Sequence, residues 1–199
     1  AYARDAVVTA EPDIVERVCA AATGVRCLAF AKPCPNPGRL LGVSVVELAE
    51  IRARAGFDLL LVKADGARGR IVKAPAAHEP AIPPGATTVI AVASAHALGE
   101  PLTGRIAHRP DCIAAVCRLA EGARFEARHL GRLLASPAGA LQGVGEARVV
   151  PLINMVDDER IADEARQAAV TALSLTDRFD YVVLAAMRRL EPIVEIVRR

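Results

Sequence analysis

Short apolar runs alternate along this chain with longer segments whose apolar positions recur at helical spacing. The first run, residues 6–9, predicts a strand. Glu11, Pro12 and Asp13 then open an amphipathic helix to about Ala22, with Ile14, Val18 and Ala21 on one face. A second strand is predicted over 25–30. Residues 32–38 hold three prolines, which remove donors and fix φ, so a surface loop is expected there. Ser44 and Glu47 have the spacing of a capping box, and the helix they start should end near Gly56. Residues 59–62, Leu-Leu-Leu-Val, read as a buried strand, too short for a helix and bounded by Gly56 and Gly66. The segment 74–85 is Pro-rich and extended. Further strands are predicted over 87–93, 149–155, 181–186 and 193–197, and helices over 113–120, 127–135 and 159–173. Strands alternating with helices predict one α/β domain over 1–199, a mostly parallel sheet with helices on both faces.

Composition narrows the possible partners. The 199 residues are 53% hydrophobic but only 3% aromatic, so the core must be built from Ala, Val, Leu and Ile. Lys plus Arg number 25 against 23 acids, a formal charge of +2, which offers no basic surface for nucleic acid or an anionic membrane. The lysines are Lys32, Lys63 and Lys73; the other basic residues are arginines. The cysteines are odd in number and contain no C-x-x-C pair, so reduced thiols of a cytoplasmic protein are expected rather than disulfides or a zinc site. No signal peptide or membrane-length apolar run is visible.

Candidate chemistry begins where the 59–62 run ends. Asp65 follows it, and Gly66, Arg68 and Arg70 can bring backbone N–H groups and two guanidiniums near an anion, with Lys73 close behind. In an open α/β sheet, ligands bind just beyond the carboxyl ends of the strands. The segment therefore has the makings of a Mg²⁺-phosphate site, although the residues alone favour an Asp-Gly turn with solvated arginines. A second landmark is Asn154-Met155-Val156-Asp157 at the end of the 149–155 run. There Asp157 could accept two guanine N–H groups while Asn154 braces the loop, or Asp157 or Asp158 could simply cap the helix that follows. His78-Glu79 lacks the second His of a zinc-protease signature, leaving His78 either functional or a pin for the Pro-rich loop. His108-Arg109-Pro110 reads as a helix entry. Cys112 and Cys117 share a neighbourhood on a helix but lack a third ligand in register.

The stretch from Val62 to Pro83, with its Lys-Ala-Pro-Ala-x-His-Glu-Pro block, resembles the YqeC family, named as accessory proteins of selenium-dependent molybdenum hydroxylases. Gly38-Arg39-Leu40-Leu41-Gly42, Ala97 to Leu102, His108-Arg109-Pro110 and Leu152 to Asp157 extend the resemblance along the chain. It implies a P-loop NTPase-like α/β fold that uses Mg²⁺ with GTP or ATP. Asp65 would be the catalytic carboxylate, holding Mg²⁺ through water. Gly66, Arg68, Arg70 and Lys73 would lie at the phosphates, and Asn154 with Asp157 at the base. The implied partner is a molybdenum hydroxylase or its cofactor-maturation proteins. A non-hydrolysing scaffold that binds a cofactor precursor or the client enzyme is the alternative.

The sequence departs from the family pattern in three places. Members begin with a Gly-rich P-loop ending in Gly-Lys-Thr, which this chain does not contain. Lys63 stands where the family has Glu, and Met155 where it has the Lys of Asn-Lys-x-Asp. On a strand Lys63 and Asp65 would share a face about 7 Å apart. A fixed ammonium there would oppose a divalent cation by about 5 kcal/mol at an effective dielectric near 20. Lys63 is thus expected to weaken Mg²⁺ binding, to pair with Asp65 or to meet a phosphate.

Overall fold

The computed structural model describes residues 5–199. It is an α/β protein with mixed sheets and, among the described residues, five α-helices. Contacts divide the chain into two compact units, one ending at Val62 and the other spanning Lys63–Arg199.

In the first unit, β1 (Asp5–Val8) pairs in parallel with β2 (Leu28–Pro33), and β2 pairs antiparallel with β3 (Leu40–Leu41). Helices α1 (Ile14–Ala22) and α2 (Val45–Arg54) supply its small core of Ile14, Val15, Val18 and Ile51. The capping box predicted from Ser44 and Glu47 is present at the start of α2. Lys32 and Pro33, expected in a loop, instead end β2. Proline is tolerated at that position because it closes a strand, and the Lys32 ammonium is held there by Glu47 at 2.6 Å.

The strand expected over 59–62 does not form. No ladder among the described residues includes it, and Leu59 and Leu61 are 71% and 77% exposed. An apolar run becomes a strand only beside a partner that takes its backbone groups. Here the chain passes directly into a loop closed by Ala81 N–H donating to Ala64 O at 3.0 Å. Asp65 therefore does not sit at a strand end, and Lys63 and Asp65 share no strand face.

The second unit carries two sheets. In the smaller, β4 (Val72–Lys73) pairs in parallel with β6 (Ala107–His108). In the larger, β5 (Thr88–Ser94), β7 (Arg148–Asn154) and β8 (Tyr181–Ala185) are parallel neighbours in that order, and β9 (Ile193–Arg198) pairs antiparallel with β8. The helices are α3 (Pro110–Cys117), α4 (Ala127–Ala135) and α5 (Glu159–Leu175). Val149, Ile153, Val182, Leu184 and Val197 share one core with Leu130, Leu133 and Leu134 of α4 and with the alanine stripe Ala165, Ala168, Ala169 and Ala172 of α5. Alanines let α5 approach closely, and Gly131 completes the fit. A Cβ there would lie 2.6 Å from Thr171 Cβ and 2.8 Å from Ala168 O. In the alternate row of the sheet Val183 is buried while Ile90, Val92 and Ile196 remain exposed. No helix among the described residues is long and apolar enough to cross a membrane.

Candidate functional site

The chemistry-bearing residues of the second unit gather around β4 and β6. Lys73 ends β4 directly across the ladder from His108, which ends β6. Partners in a ladder project to the same face. Arg109 follows in a left-handed conformation (φ 62°), and Pro110 then starts α3 with φ already set for a helix. That backbone reversal aims the Arg109 guanidinium at Glu79, where Nη1 donates to Oε2 at 2.6 Å.

Lys73 is the hub. Its ammonium donates to Asp65 Oδ1, to Glu79 Oε2 at 2.7 Å and to Gly66 O at 3.1 Å. An ammonium has three donors, and all three are engaged. Its side chain is only 8% exposed. The lysine expected at the phosphates is therefore committed to the protein, and its charge is balanced by two carboxylates. Arg109 first, then Lys73, holds the Glu79 carboxyl at about 2, well below the ordinary carboxylate range.

One oxygen of the Asp65 carboxylate is likewise occupied. Its Oδ1 takes the Lys73 ammonium and also the Gly66 N–H at 2.6 Å. Lys63 donates to the Asp65 backbone carbonyl, not to its carboxylate. Among the described residues no group of three or more His, Cys, Asp or Glu side chains is placed to hold a metal ion. One carboxylate cannot hold a bare magnesium ion, and the Lys73 ammonium on Oδ1 opposes one; Oδ2, which accepts no hydrogen bond among the described residues, is what is left to reach a metal through water. Around His108 stand Arg109, Lys73 and Arg68, with Glu79 the carboxylate among them, and Arg68 is exposed with no hydrogen-bond partner among the described residues. The His108 ring too has no hydrogen bond there. Desolvation first, and then the three cations, push its pKa down from the ordinary imidazole value.

The remaining candidates divide. Arg70, in a turn with Arg68 (φ 50°) and Gly69 (φ 76°), spends its Nε on Gly104 O at 2.6 Å. His78 is exposed, and Gln142 pins the Pro-rich loop instead, donating to Ala76 O at 2.7 Å and to Glu79 O. Gln142 lies 63 residues beyond Glu79, and no local signal marks it.

Asn154 and Asp157 form a separate group at the end of β7. Asn154 Oδ1 accepts from Met187 N at 3.1 Å, bracing the turn after β8. Asp157 Oδ2 lies 3.0 Å from His96 Nε2, while Arg189 donates to the Asp157 backbone carbonyl. Asp158, not Asp157, caps α5, accepting from Ile161 N at 2.9 Å. Ser94 pairs with Asn154 in the ladder and donates to Met155 Sδ at 3.2 Å. No hydrogen bond or ion pair among the described residues links this group to the Lys73 cluster. His96 carried no signal in the sequence beyond its residue type. Cys117 is buried with its thiol donating to His129 O, and desolvation pushes it up to about 12.

An α/β protein whose polar centre is a charge-balanced lysine flanked by arginines with donors to spare is thus defined. A family-level comparison matches the YqeC protein family over residues 2–111. The chain belongs to that family. The match contains the whole cluster from Asp65 to Arg109 and stops short of Asn154 and Asp157. The chain is also 28% identical over 158 residues to a protein of Escherichia coli (strain K12) named "Uncharacterized protein YqeC", an alignment covering 75% of this chain and 62% of that relative. The chain thus spans less than two thirds of the relative's length. No solved structure matches it.

Proposed function

We propose that this chain belongs to a cytoplasmic accessory factor for maturation of a selenium-dependent molybdenum hydroxylase, and that its Lys73–Arg109 cluster receives the phosphates of GTP or ATP. One observation carries the reading. Arg68 has no hydrogen-bond partner among the described residues and Arg109 spends one donor on Glu79, in a network where Lys73 is already neutralised by Asp65 and Glu79, so guanidinium donors remain for an arriving phosphate. Magnesium enters only as the nucleotide's own counter-ion. The protein's part is to orient the anion and to hold the guanidiniums in place. Asn154 and Asp157 are the residues proposed to meet a base.

A second reading is favoured by Asp65. Its Oδ1 takes both the Lys73 ammonium and the Gly66 N–H, which leaves a single oxygen beside a fixed positive charge, a poor place from which to position water or metal. On that reading the same cluster holds a phosphorylated cofactor precursor without hydrolysing anything.

A gene deletion in a host that makes such a hydroxylase tests the proposal. Hydroxylase activity should fall, and return with the wild-type gene but not with the double variant Arg68→Gln, Arg109→Gln. Unchanged hydroxylase activity after deletion would sink the accessory role. Release of phosphate from GTP or ATP by the purified protein separates the two readings.

A further inference from the structure

We propose that His108 takes up a proton from solvent as a dianionic terminal phosphoryl group docks against Arg68 and Arg109, and so selects phosphomonoesters over phosphodiesters. This deepens the anion site proposed above and rests on it.

Four observations support the step. His108 lies opposite Lys73 in the β4–β6 ladder, so its ring leaves the sheet on the side where the cluster is built. The ring is half-buried and has no hydrogen-bond partner among the described residues, although both its nitrogens can bond. The charged groups that act on it are Arg109 on the residue that opens α3, Lys73 on β4, Arg68 on the turn after Asp65, and Glu79 on the Pro-rich loop, and Asp65 joins the same network through Lys73. The ring's own burial first, and then Arg109, Lys73 and Arg68 outnumbering Glu79 and Asp65, favour its neutral form when no anion is bound.

A dianion reverses that balance. Placed among Arg68, Arg109 and the ring, it favours the imidazolium, which then supplies an additional charged donor. The coupling is reciprocal: binding that takes up a proton must tighten as pH falls. A phosphodiester carries a single charge, so it pulls the proton less strongly and gains less from it. A carboxylate is disfavoured in the same way. His108 would thus read charge rather than shape.

Sulfate is the direct probe, because it stays dianionic across the whole range in which imidazole titrates. Calorimetric titration of the 199-residue chain with sulfate at pH 7, in two buffers of different ionisation enthalpy, measures protons taken up per anion bound. Uptake approaching one proton is expected, with affinity rising by up to about tenfold per unit as pH falls from 8 to 6. His108→Gln should abolish both while retaining weaker binding through the arginines. Dimethyl phosphate should bind more weakly than sulfate and with little uptake. The His108 ring proton, followed by NMR in the wild-type protein, provides the same readout without a mutation, and should titrate at higher pH with sulfate than without. Sulfate binding with no proton uptake and an unmoved ring titration would overturn the role of His108 and leave the anion site standing. No binding of sulfate or of tripolyphosphate would overturn both.

Discussion

Glu79 and Arg109 meet across 30 residues of sequence, with Arg109 Nη1 on Glu79 Oε2 at 2.6 Å, and Lys73 shares the same oxygen. One carboxylate thus ties the Pro-rich loop to the start of α3 and to the end of β4. Its removal should be felt as stability. Glu79→Gln leaves Lys73 and Arg109 short of a counter-charge in a half-buried setting and is expected to cost about 2 kcal/mol in urea denaturation at pH 7.

The same residue gives a pH dependence. Glu79 titrates at about 2 in the folded chain against an ordinary value of 4.5. A depressed acid stabilises the fold above its unfolded pKa, and that contribution fades as pH falls through 4.5 toward 2. The wild-type urea midpoint should therefore drop between pH 5 and pH 2.5 by more than that of Glu79→Gln. Parallel curves would show that the network is no stronger in the folded chain than out of it.

At the end of β7, neighbouring aspartates should behave differently. Asp158→Ala removes the cap on Ile161 N–H and is expected to cost about 1 kcal/mol of stability without altering nucleotide affinity. Asp157→Asn disturbs only an exposed pair with His96, worth less than about 1 kcal/mol. If Asp157 reads guanine, that change should weaken GTP about tenfold and spare ATP, as measured by titration calorimetry. Equal affinities before and after would exclude it from base reading.

Gly131→Ala sets two magnitudes against each other. Alanine gains about 1 kcal/mol over glycine in a helix interior. Its Cβ would be driven against Thr171 and the backbone oxygen of Ala168, at 2.6 and 2.8 Å, and overpacking of this kind costs about 1–3 kcal/mol. Because one of the clashing atoms is backbone, the packing cost should win. A lower Tm is expected, and an unchanged or higher one would mean that α4 and α5 separate easily.

The thiols can be ranked before any reagent is added. Cys117 is buried and its thiol is pushed up to about 12, whereas Cys27 is exposed. A disulfide reagent at pH 8 should label Cys27 in the native protein and Cys117 only after denaturant. Labelling of Cys117 at a comparable native rate would show that its helix opens freely.

Much of the fold was legible because its signals are local. Ser44 and Glu47 announced α2, and the 3.6-residue rhythm located α4 to the residue. The failure at 59–62 has a clear origin: four apolar residues state a preference for burial, but only pairing in a ladder makes a strand, and no ladder among the described residues includes them. The candidate site was legible as a set of residue types and not as an arrangement. Asp65, Lys73, Glu79 and Arg109 could all be named, yet nothing local says that Lys73 spends its three donors on Asp65, Glu79 and Gly66, because the Arg109 turn that anchors Glu79 lies far along the chain. Gln142 and His96 went unmarked for the same reason.

The ladder between β5 and β7 runs in register from Thr88 opposite Arg148 to Ser94 opposite Asn154, and the chain between them carries β6, α3 and α4. Closing such an excursion costs conformational entropy before any pairing repays it, whereas β8 and β9 are joined by a short connection. The order of assembly follows. We expect the β8–β9 hairpin to gain protected amides early in refolding and the β5–β7 ladder late, as pulsed hydrogen exchange at Val183 and Val92 would show. The Asn154 end of β7 is then among the last places to become native, and a nascent chain would have to be synthesised past Arg189 before that surface exists.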